Sequence, residues 1–377
     1  MIYFDYAACT PIDKEVLDLY YDCLLKYYGN PNSTHTLGRE AKEMIDSSTA
    51  NIARLLGVEG DEIIYTSGAT ESNNLAIRGV CERNKDKGKH VLLSTLEHSS
   101  LTTVAQVLEE EGFNIDVIPV KDNGLVDIEQ LKGMLRDDTI FVSVVSVDSE
   151  LGLVQPIEEI GELLKSYPNA VFHTDASQAV GKVNIDYRNV DLITVSPHKF
   201  YGVNDLGILV KRKEVNLKPI IFGGRSTTVF RSGTPNTASI IATSFALEKA
   251  MNEQQERFNY VSNLNKEVKE YLSSFDEVHI NTNENSMPFT INFSVKGVSS
   301  GRVVDILNDK GICVSSKTSC CPVMAPSKLV MALTNEKSLA VTSIRLSLSH
   351  LTTEDEIGAF KEAFEYTLND IKGAHND

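Results

Sequence analysis

Two polar segments carry residues that could bind and modify a small molecule. Residues 66–74 read TSGATESNN and lead into a helical stretch, Leu75–Val80, so that free backbone N–H groups would face one point. Helix N-termini of this kind bind phosphate groups, although a plain helix cap with Thr70 as the N-cap is the alternative. Residues 196–202 read SPHKFYG and place Lys199 directly after a predicted strand. Most lysines are solvated surface charges, so Lys199 by itself does not indicate a functional role.

An acidic residue adds a third group to this set. Asp175 ends a further predicted strand, and ligands of parallel sheets bind at the carboxyl ends of their strands. A carboxylate there could pair with a protonated ring nitrogen, whereas a helix-capping aspartate is the alternative reading of Asp175 alone. A lysine at one strand end, opposite a phosphate cup and an acid, predicts a Schiff base with pyridoxal phosphate.

The elements that must position these groups follow from the hydrophobic pattern between about residues 62 and 212. Short runs rich in β-branched residues predict strands at 62–65, 90–93, 140–145, 170–173, 192–195 and 206–210. Helical spacing appears between them, for example at 157–165, where four apolar side chains share a face. This alternation predicts an α/β domain with a three-layer, mostly parallel sheet.

The pattern changes after Pro235. A long helix is predicted at about 239–273, with strands near 289–295 and 343–348. We therefore expect a large domain at residues 1–250 and a smaller α+β domain at 251–377, with roughly the first 13 residues packing on the smaller one. Alternation at 343–348 predicts a half-buried strand with Arg345 on its polar face, where an ordinary surface ion pair is the alternative.

The amino-acid composition excludes several classes of binding partner for this protein. The 377 residues include 36 Lys and Arg against 52 Asp and Glu, a net charge of −16 that argues against direct nucleic-acid binding. Neither a signal peptide nor a membrane span is indicated, so we expect a cytoplasmic protein that does not bind membranes. The six cysteines lack metal or redox spacing, so we expect reduced thiols and no structural metal.

Taken in order, the motifs resemble those of the cysteine desulfurases, which are pyridoxal-phosphate enzymes of fold type I in the class V aminotransferase group. The matching segments are 66–74 (TSGATESNN), Glu97-His98, 175–178 (DASQ), 197–199 (PHK), 231–234 (RSGT) and 343–345 (SIR). The resemblance extends from Tyr3 to about Glu356 and so covers nearly the whole chain.

The resemblance implies a role for each matching residue toward the cofactor. Lys199 would bind pyridoxal phosphate covalently, Asp175 would pair with its ring nitrogen, and Gln178 would contact its ring hydroxyl. His98 would stack on the ring and move protons, with a core histidine as the alternative. The remaining implied cofactor-binding residues are Ala69, Thr70, Ser149, Ser196, His198 and Thr234. Thr234 would serve the phosphate of the partner subunit, which implies a homodimer.

The resemblance also implies how substrate and sulfur are handled. Arg345 would grip the substrate carboxylate, a task that suits a planar, two-pronged donor. Ser149 stands where most relatives have an asparagine that touches the cofactor ring oxygen and this carboxylate. Cys320, in the run 315–322 (SSKTSCCP), falls on the sulfur-accepting nucleophile, and its polar neighbours favour an exposed thiol of lowered pKa.

The implied reaction converts L-cysteine to L-alanine and leaves a persulfide on Cys320. That sulfur would pass to an acceptor protein for iron–sulfur clusters, thio-cofactors or thiolated tRNA. Alternatives with the same fold and cofactor are a selenocysteine lyase, another β-eliminating lyase or a class V aminotransferase. A catalytically poor paralogue that acts as a sulfur-carrier scaffold or regulator through protein contacts is an alternative of another class, disfavoured by the complete set of Lys199, Asp175, Gln178 and Arg345.

Overall fold

Strands and helices alternate along most of the chain. In a computed structural model, residues 1–224, 226–316 and 326–373 are described. The strands are β1 (Ile2–Tyr3), β2 (Ile63–Thr66), β3 (His90–Ser94), β4 (Asn114–Ile118), β5 (Thr139–Ser143), β6 (Val171–Asp175), β7 (Leu192–Val195), β8 (Gly207–Lys211), β9 (Val278–Ile280), β10 (Thr290–Val295), β11 (Ile312–Cys313) and β12 (Ser343–Ser347). The helices are α1 (Lys14–Lys26), α2 (Thr36–Leu56), α3 (Ala69–Asn84), α4 (Ser99–Glu110), α5 (Ile128–Met134), α6 (Ile157–Leu164), α7 (Thr237–Asn252), α8 (Gln254–Leu272), α9 (Ser300–Asp309), α10 (Lys328–Thr334), α11 (Lys337–Thr342) and α12 (Glu354–Gly373).

A seven-stranded sheet forms the centre of the larger part of the fold. Its strand order is β2-β8-β7-β6-β5-β3-β4, and every pairing from β7 to β4 is parallel, whereas β8 runs antiparallel to both neighbours. Successive side chains of a strand point to opposite faces. In β3, Leu92 joins one apolar cluster while Val91 and Leu93 join the other. Helices cover both faces, so the predicted three-layer, mostly parallel α/β architecture is confirmed.

All six strands predicted in this region form, with ends within two residues of the prediction. Strand β4 was not predicted. It pairs only with β3 at the edge of the sheet, and Asn114, Asp116 and Val117 are exposed. A strand with so much polar surface lacks the buried, β-branched run on which the prediction rests.

The long helix predicted at about 239–273 is wrong, because the chain forms two helices there. Glu253 leaves the helical conformation, with φ −96° and ψ 1°, between α7 and α8. Helix α7 packs on α1 and α2, whereas α8 packs on α12, β9 and β10. One straight helix could not follow both surfaces. The break lies close to the predicted domain boundary at residue 250, which stays a prediction.

A second sheet, of order β12-β10-β9, is antiparallel. The N-terminal residues connect this sheet to the larger one. Strand β1 pairs in parallel with β11, and Asp5 forms a bridge with Ser347 at the end of β12. A few residues later, the Thr10 N–H donates to the carbonyl of His198 at 3.0 Å. The first ten residues therefore lie between the segment that carries Arg345 and the segment that carries Lys199.

Two further expectations concern helices and thiols. In the described ranges, no helix combines the length and apolar character needed to cross a membrane. Cys9, Cys23, Cys81 and Cys313, the cysteines of those ranges, carry no disulfide. Cys320 and Cys321 lie outside the described residues.

Candidate active site

The carboxyl ends of the parallel strands border a cavity of about 400 Å³. Strands of one parallel sheet end at the same edge, which is why segments distant in sequence meet there. Ten of the predicted site residues line the cavity, namely Ala69, Thr70, His98, Ser149, Asp175, Gln178, Ser196, His198, Lys199 and Arg345. The sequence-based prediction therefore identified a set of residues that the fold brings together.

Helix α3 begins at this cavity without a side-chain cap. Its N-cap is Gly68, no side chain accepts from its first turn, and Thr70 is already inside the helix. The alternative of a plain cap formed by Thr70 is therefore wrong. The backbone N–H groups of the first turn stay available to an anion, which the helix dipole also favours.

A glycine allows the neighbouring strand to approach this helix start. A Cβ atom on Gly207, the first residue of β8, would lie 2.5 Å from the carbonyl carbon of Gly68. No residue with a side chain could occupy that position without a backbone shift. The close approach of β8 thus shapes the cup at the start of α3, and the sequence analysis had assigned no role to Gly207.

Asp175 is fixed by two hydrogen bonds. Its Oδ2 accepts from Asn73 Nδ2 at 2.8 Å and its Oδ1 accepts from the N–H of Ser177 at 2.9 Å. The side chain is buried, so the carboxylate keeps one orientation at the end of β6. Asn73 belongs to the motif at 66–74, but the resemblance implied no role for it. Its position on α3, facing Asp175, depends on how that helix packs across the sheet.

His98 belongs to the same hydrogen-bond network. Its Nδ1 accepts from the N–H of Ser100 at 3.2 Å, which leaves the proton of the neutral ring on Nε2. The Ser100 hydroxyl contacts Nδ1 at 2.9 Å and accepts from Asn73 Nδ2 at 2.8 Å. Burial lowers the pKa of His98, opposed by Asp175 and assisted by Lys199, so the imidazole is neutral at neutral pH. Ser100 is another residue that sequence reasoning missed.

Lys199 is held against the N-terminal segment. Its Nζ donates to the carbonyl oxygens of Ala7 at 2.8 Å and Ala8 at 2.6 Å. Burial, followed by the nearby Arg345 guanidinium, lowers the pKa of Lys199 to about 8. At pH 7 roughly one tenth of this amine is therefore unprotonated, a far larger share than for an ordinary lysine, as a nucleophilic or basic lysine requires.

Arg345 is almost fully buried, at 1% exposure. Its Nη2 donates to Asp5 Oδ1 at 2.6 Å and its Nη1 to the carbonyl of Ser149 at 2.7 Å. The predicted half-buried strand is wrong, because every residue of β12 is buried. Residues 5 and 315 bridge to the side of β12 that β10 leaves unpaired, and they cover it. The alternative, a surface ion pair of Arg345, is also wrong because this side chain is buried.

Gln178 contributes an amide to the cavity. Its Nε2 donates to the Ala7 carbonyl at 2.8 Å, and its Oε1 accepts from Lys182 Nζ at 2.9 Å. Lys182 is also without a predicted role. Ser196 and His198 lie together beyond Lys199, with Ser196 Oγ and His198 Nδ1 3.0 Å apart.

Two predicted site residues remain, Thr234 and Cys320. Thr234 is exposed and lies outside the cavity of its own chain. Cys320 falls outside the described residues, so its position relative to Lys199 and Arg345 stays a prediction.

The chemistry of the cavity suits pyridoxal phosphate. An uncapped helix start offers N–H donors to a phosphate, a fixed carboxylate can pair with a ring nitrogen, and a lysine of lowered pKa can bind an aldehyde. The Asn73 Oδ1 beside Asp175 is buried and has no hydrogen-bond partner among the described residues. The residues present therefore fit the cofactor.

Comparisons with known proteins agree with this reading. The aminotransferase class-V family model matches residues 2–360. The cysteine desulfurase IscS of Dictyoglomus turgidum is 37% identical over 376 residues, which cover 98% of this chain and 95% of the relative. The putative cysteine desulfurase IscS 1 of Bacillus subtilis is 37% identical over 384 residues, with 98% of each chain covered. A solved NifS-like protein superposes with a TM-score of 0.92 at 31% identity, covering 98% of this chain and 99% of the other.

The chain therefore belongs to the class-V aminotransferase family and, within it, to the cysteine desulfurases. The predicted family, the fold class, the cofactor pyridoxal phosphate and the enzyme class are confirmed. These relatives favour a cysteine desulfurase over a selenocysteine lyase, another β-eliminating lyase or a class V aminotransferase.

Proposed function

We propose that this cytoplasmic enzyme converts L-cysteine to L-alanine at the cavity described above and transfers the sulfur through Cys320 to an acceptor protein. The observation that carries the proposal is the presence of Lys199, Asp175 and Arg345 around one cavity. A solved neighbour, SspA in complex with cysteine, is 30% identical with a TM-score of 0.80, which supports L-cysteine as the substrate.

Binding of the substrate would be determined by Arg345. Its guanidinium is buried and already donates to a carboxylate, that of Asp5, so it can form the charge-assisted hydrogen bonds that a substrate carboxylate needs. The second guanidinium contact goes to the backbone carbonyl of Ser149, which requires no particular side chain at that position. The change from the usual asparagine to Ser149 therefore leaves the orientation of Arg345 intact.

Bound pyridoxal phosphate would supply the electron sink that stabilises negative charge at the substrate Cα. Lys199, with a pKa of about 8, can take the Cα proton as a base. Asp175, held by Asn73 and Ser177, keeps its carboxylate directed at one point and so can stabilise a protonated ring nitrogen. His98 presents the N–H of Nε2, which can be donated and regained during turnover.

Both ends of the segment that contains Cys320 are anchored beside the substrate-binding residues. Before it, Ser315 exchanges two backbone hydrogen bonds with Arg345, at 3.1 and 2.6 Å. After it, the Ser327 hydroxyl donates to the carboxylate of Glu150, the residue that follows Ser149. These anchors support a role for Cys320 as the thiolate that attacks the substrate sulfur.

The sulfur step balances without an added oxidant. The Cys320 thiolate forms a bond to the substrate sulfur while the substrate carbon–sulfur bond breaks, and the carbon fragment is protonated to alanine. The persulfide then passes to an acceptor thiol by exchange. The acceptor is a protein with a reactive cysteine, since a persulfide needs a thiolate to receive its sulfur.

We also propose that the enzyme is a homodimer. Helix α1 and the residue pair after it expose Leu17, Tyr21, Leu24 and Tyr28, an apolar stripe at helical spacing. The opposite face of α1 packs on α7, whose first residue follows Thr234 by three positions. Phe222 and Val229 add exposed apolar surface in the segment before Thr234. A second subunit on this face would bring Thr234 to the neighbouring active site.

Alanine release from L-cysteine tests the reaction. Purified, cofactor-loaded protein under reducing conditions should release alanine and sulfide in equal amounts. Cys320→Ala should abolish both, whereas the matched variant Cys321→Ala should retain activity. Alanine formation that persists in Cys320→Ala would contradict the role of this thiol, and no alanine from a protein that binds pyridoxal phosphate would contradict the substrate.

A further inference from the structure

Lys182 is a buried lysine for which the proposed reaction has no use. Its side chain is 8% exposed, and its Nζ donates to Gln178 Oε1 at 2.9 Å. Within the described ranges, no acidic side chain forms an ion pair with it, whereas most buried cations of folded proteins are paired. An unpaired buried lysine lowers the free energy of unfolding, so a role in function would explain its presence.

The charges that face Lys182 increase this cost. They are the Lys199 ammonium and the Arg345 guanidinium, both cations of the active site. Together with burial, which is the larger cause, they lower the pKa of Lys182 to about 7. Its other surroundings are a small cavity lined in part by Tyr6, Thr10 and Tyr201. The lysine therefore lies directly behind the active site.

Chemistry fixes the orientation of the amide that Lys182 contacts. A lysine side chain can only donate hydrogen bonds, so the atom of Gln178 that it meets must be the carbonyl oxygen. The other end, Nε2, donates to the Ala7 carbonyl, the same oxygen that accepts from Lys199 Nζ. The N–H group of Gln178 and the amine of Lys199 are thus neighbours. If Lys182 were removed, only the Ala7 carbonyl would hold the amide, and its N–H group would be less firmly directed at the cavity.

We propose that Lys182 is a positioning residue that locks the Gln178 amide, so that Gln178 presents an N–H donor to the ring oxygen of pyridoxal phosphate. The inference rests on the proposed cofactor site and adds a residue to which no role had been given. Lys182 acts through Gln178 and needs no contact with substrate or cofactor.

A pH titration of the visible absorbance of the cofactor-loaded protein tests whether Lys182 fixes the Gln178 amide. In Lys182→Met, which keeps the length of the side chain, the ring oxygen loses a fixed donor and a nearby cation disappears. Both changes favour the protonated form of the bond between Lys199 and the cofactor. The pH at the midpoint of the absorbance titration should therefore rise by at least about half a unit. The dissociation constant of pyridoxal phosphate should rise several-fold. A midpoint and an affinity equal to those of the wild type would overturn the inference.

A double-mutant cycle separates the lock from a direct charge effect. Gln178→Leu should raise the midpoint by itself, and the addition of Lys182→Met should then raise it by clearly less than Lys182→Met does alone, because only the effect of the lost charge remains. Fully additive changes would contradict the inference. Lys182→Gln retains an N–H donor and should move the midpoint by less than half the change in Gln178→Leu. An equal change in these two variants would also count against the lock.

A second buried lysine provides the control for general destabilisation. Lys211 donates to the carbonyls of Arg212 and Val215, away from the cavity. Lys211→Met should lower thermal stability and leave the absorbance midpoint unchanged. The absorbance of the wild type separates a failure of the proposed cofactor site from a failure of the proposed role of Lys182. If it forms no visible band with pyridoxal phosphate, the cofactor site is wrong; if only Lys182→Met fails to move the band, the inference alone is wrong.

Discussion

At the scale of single residues, the active site depends on short chains of contacts behind the groups that do the chemistry. Asn73 connects Asp175 to Ser100, and Ser100 contacts His98, so the acid and the histidine share one hydrogen-bond network. On the other side, the Ala7 carbonyl accepts from both Gln178 and Lys199. Such supporting contacts fix orientation, which decides whether a correct residue type becomes a functional group.

Titration of Glu97, the residue before His98, should make the free energy of unfolding depend on pH. Its Oε1 accepts from Ser94 Oγ at 2.8 Å and from the Val145 N–H at 2.7 Å, while Oε2 is buried without a partner in the described chain. Burial, with a smaller effect from Asp175, raises the pKa of Glu97 from 4.5 to about 8. Between these values the folded protein binds a proton that the unfolded chain has lost.

Stability should therefore fall as pH rises through this window, because the unfolded state binds fewer protons there. Glu97→Gln mimics the protonated carboxyl and removes this contribution. Relative to the variant, the free energy of unfolding of the wild type should decline from about pH 4.5 to about pH 8 and then level off. Denaturant unfolding at several pH values measures the difference, and a constant difference across the window would contradict the raised pKa.

At the scale of elements, the turn at residues 148–153 positions the backbone carbonyl that Arg345 uses. Asp148 accepts the N–H groups of Glu150, Leu151 and Leu153, so one buried carboxylate organises the whole turn. Gly152 closes it with φ +69°, and a Cβ atom there would lie 3.1 Å from Thr290 Cβ. This position requires glycine for its backbone conformation and for its space.

Gly152→Ala should destabilise the protein by about 1–3 kcal/mol and should raise KM for L-cysteine, because the turn shifts the Ser149 carbonyl away from Arg345. Gly358→Ala is the control: this glycine lies within α12, and its added Cβ meets no atom within 4 Å. That substitution should stabilise the protein by up to about 1 kcal/mol and leave KM unchanged. Thermal unfolding and steady-state kinetics report both quantities. Equal behaviour of the two variants would contradict a positioning role for the turn.

At the scale of the whole molecule, the exposed stripe on α1 and the position of Thr234 outside its own cavity point to a site completed by a second subunit. The active site and the association of subunits would then be coupled. A subunit that dissociates would lose a phosphate contact as well as buried apolar area.

Leu24→Glu places a charge in this stripe and should shift the protein toward monomers, with weaker binding of pyridoxal phosphate. Leu351→Glu is matched in exposure, at 47% against 46% for Leu24, and should leave both properties unchanged. Light scattering gives the mass of the assembly, and a titration of the apoprotein gives the cofactor affinity. A wild type that is monomeric at micromolar concentration, or a Leu24→Glu variant that remains dimeric, would rule out this interface.

The order of the site segments along the chain was determined by the sequence itself. Buried, β-branched runs predicted six strands of the large sheet, and the resemblance of the motifs to those of the cysteine desulfurases predicted ten residues that line one cavity. Both signals are local, because a strand pattern and the residues at its end lie within about ten positions of each other. The same signals missed β4, whose exposed edge lacks the pattern, and merged α7 with α8.

Only the tertiary structure decided which atoms meet. Asn73 reaches Asp175 across 102 residues, and Arg345 reaches Asp5 across 340. The Arg345 side chain is buried against Asp5 and Ser149, whereas the sequence predicted a half-buried strand with Arg345 on its polar face. Lys182 looks like any surface lysine in the sequence, and burial beside Gln178 gives it a role. Such contacts depend on the packing of helices and the N-terminal segment on the sheet, which no local pattern encodes.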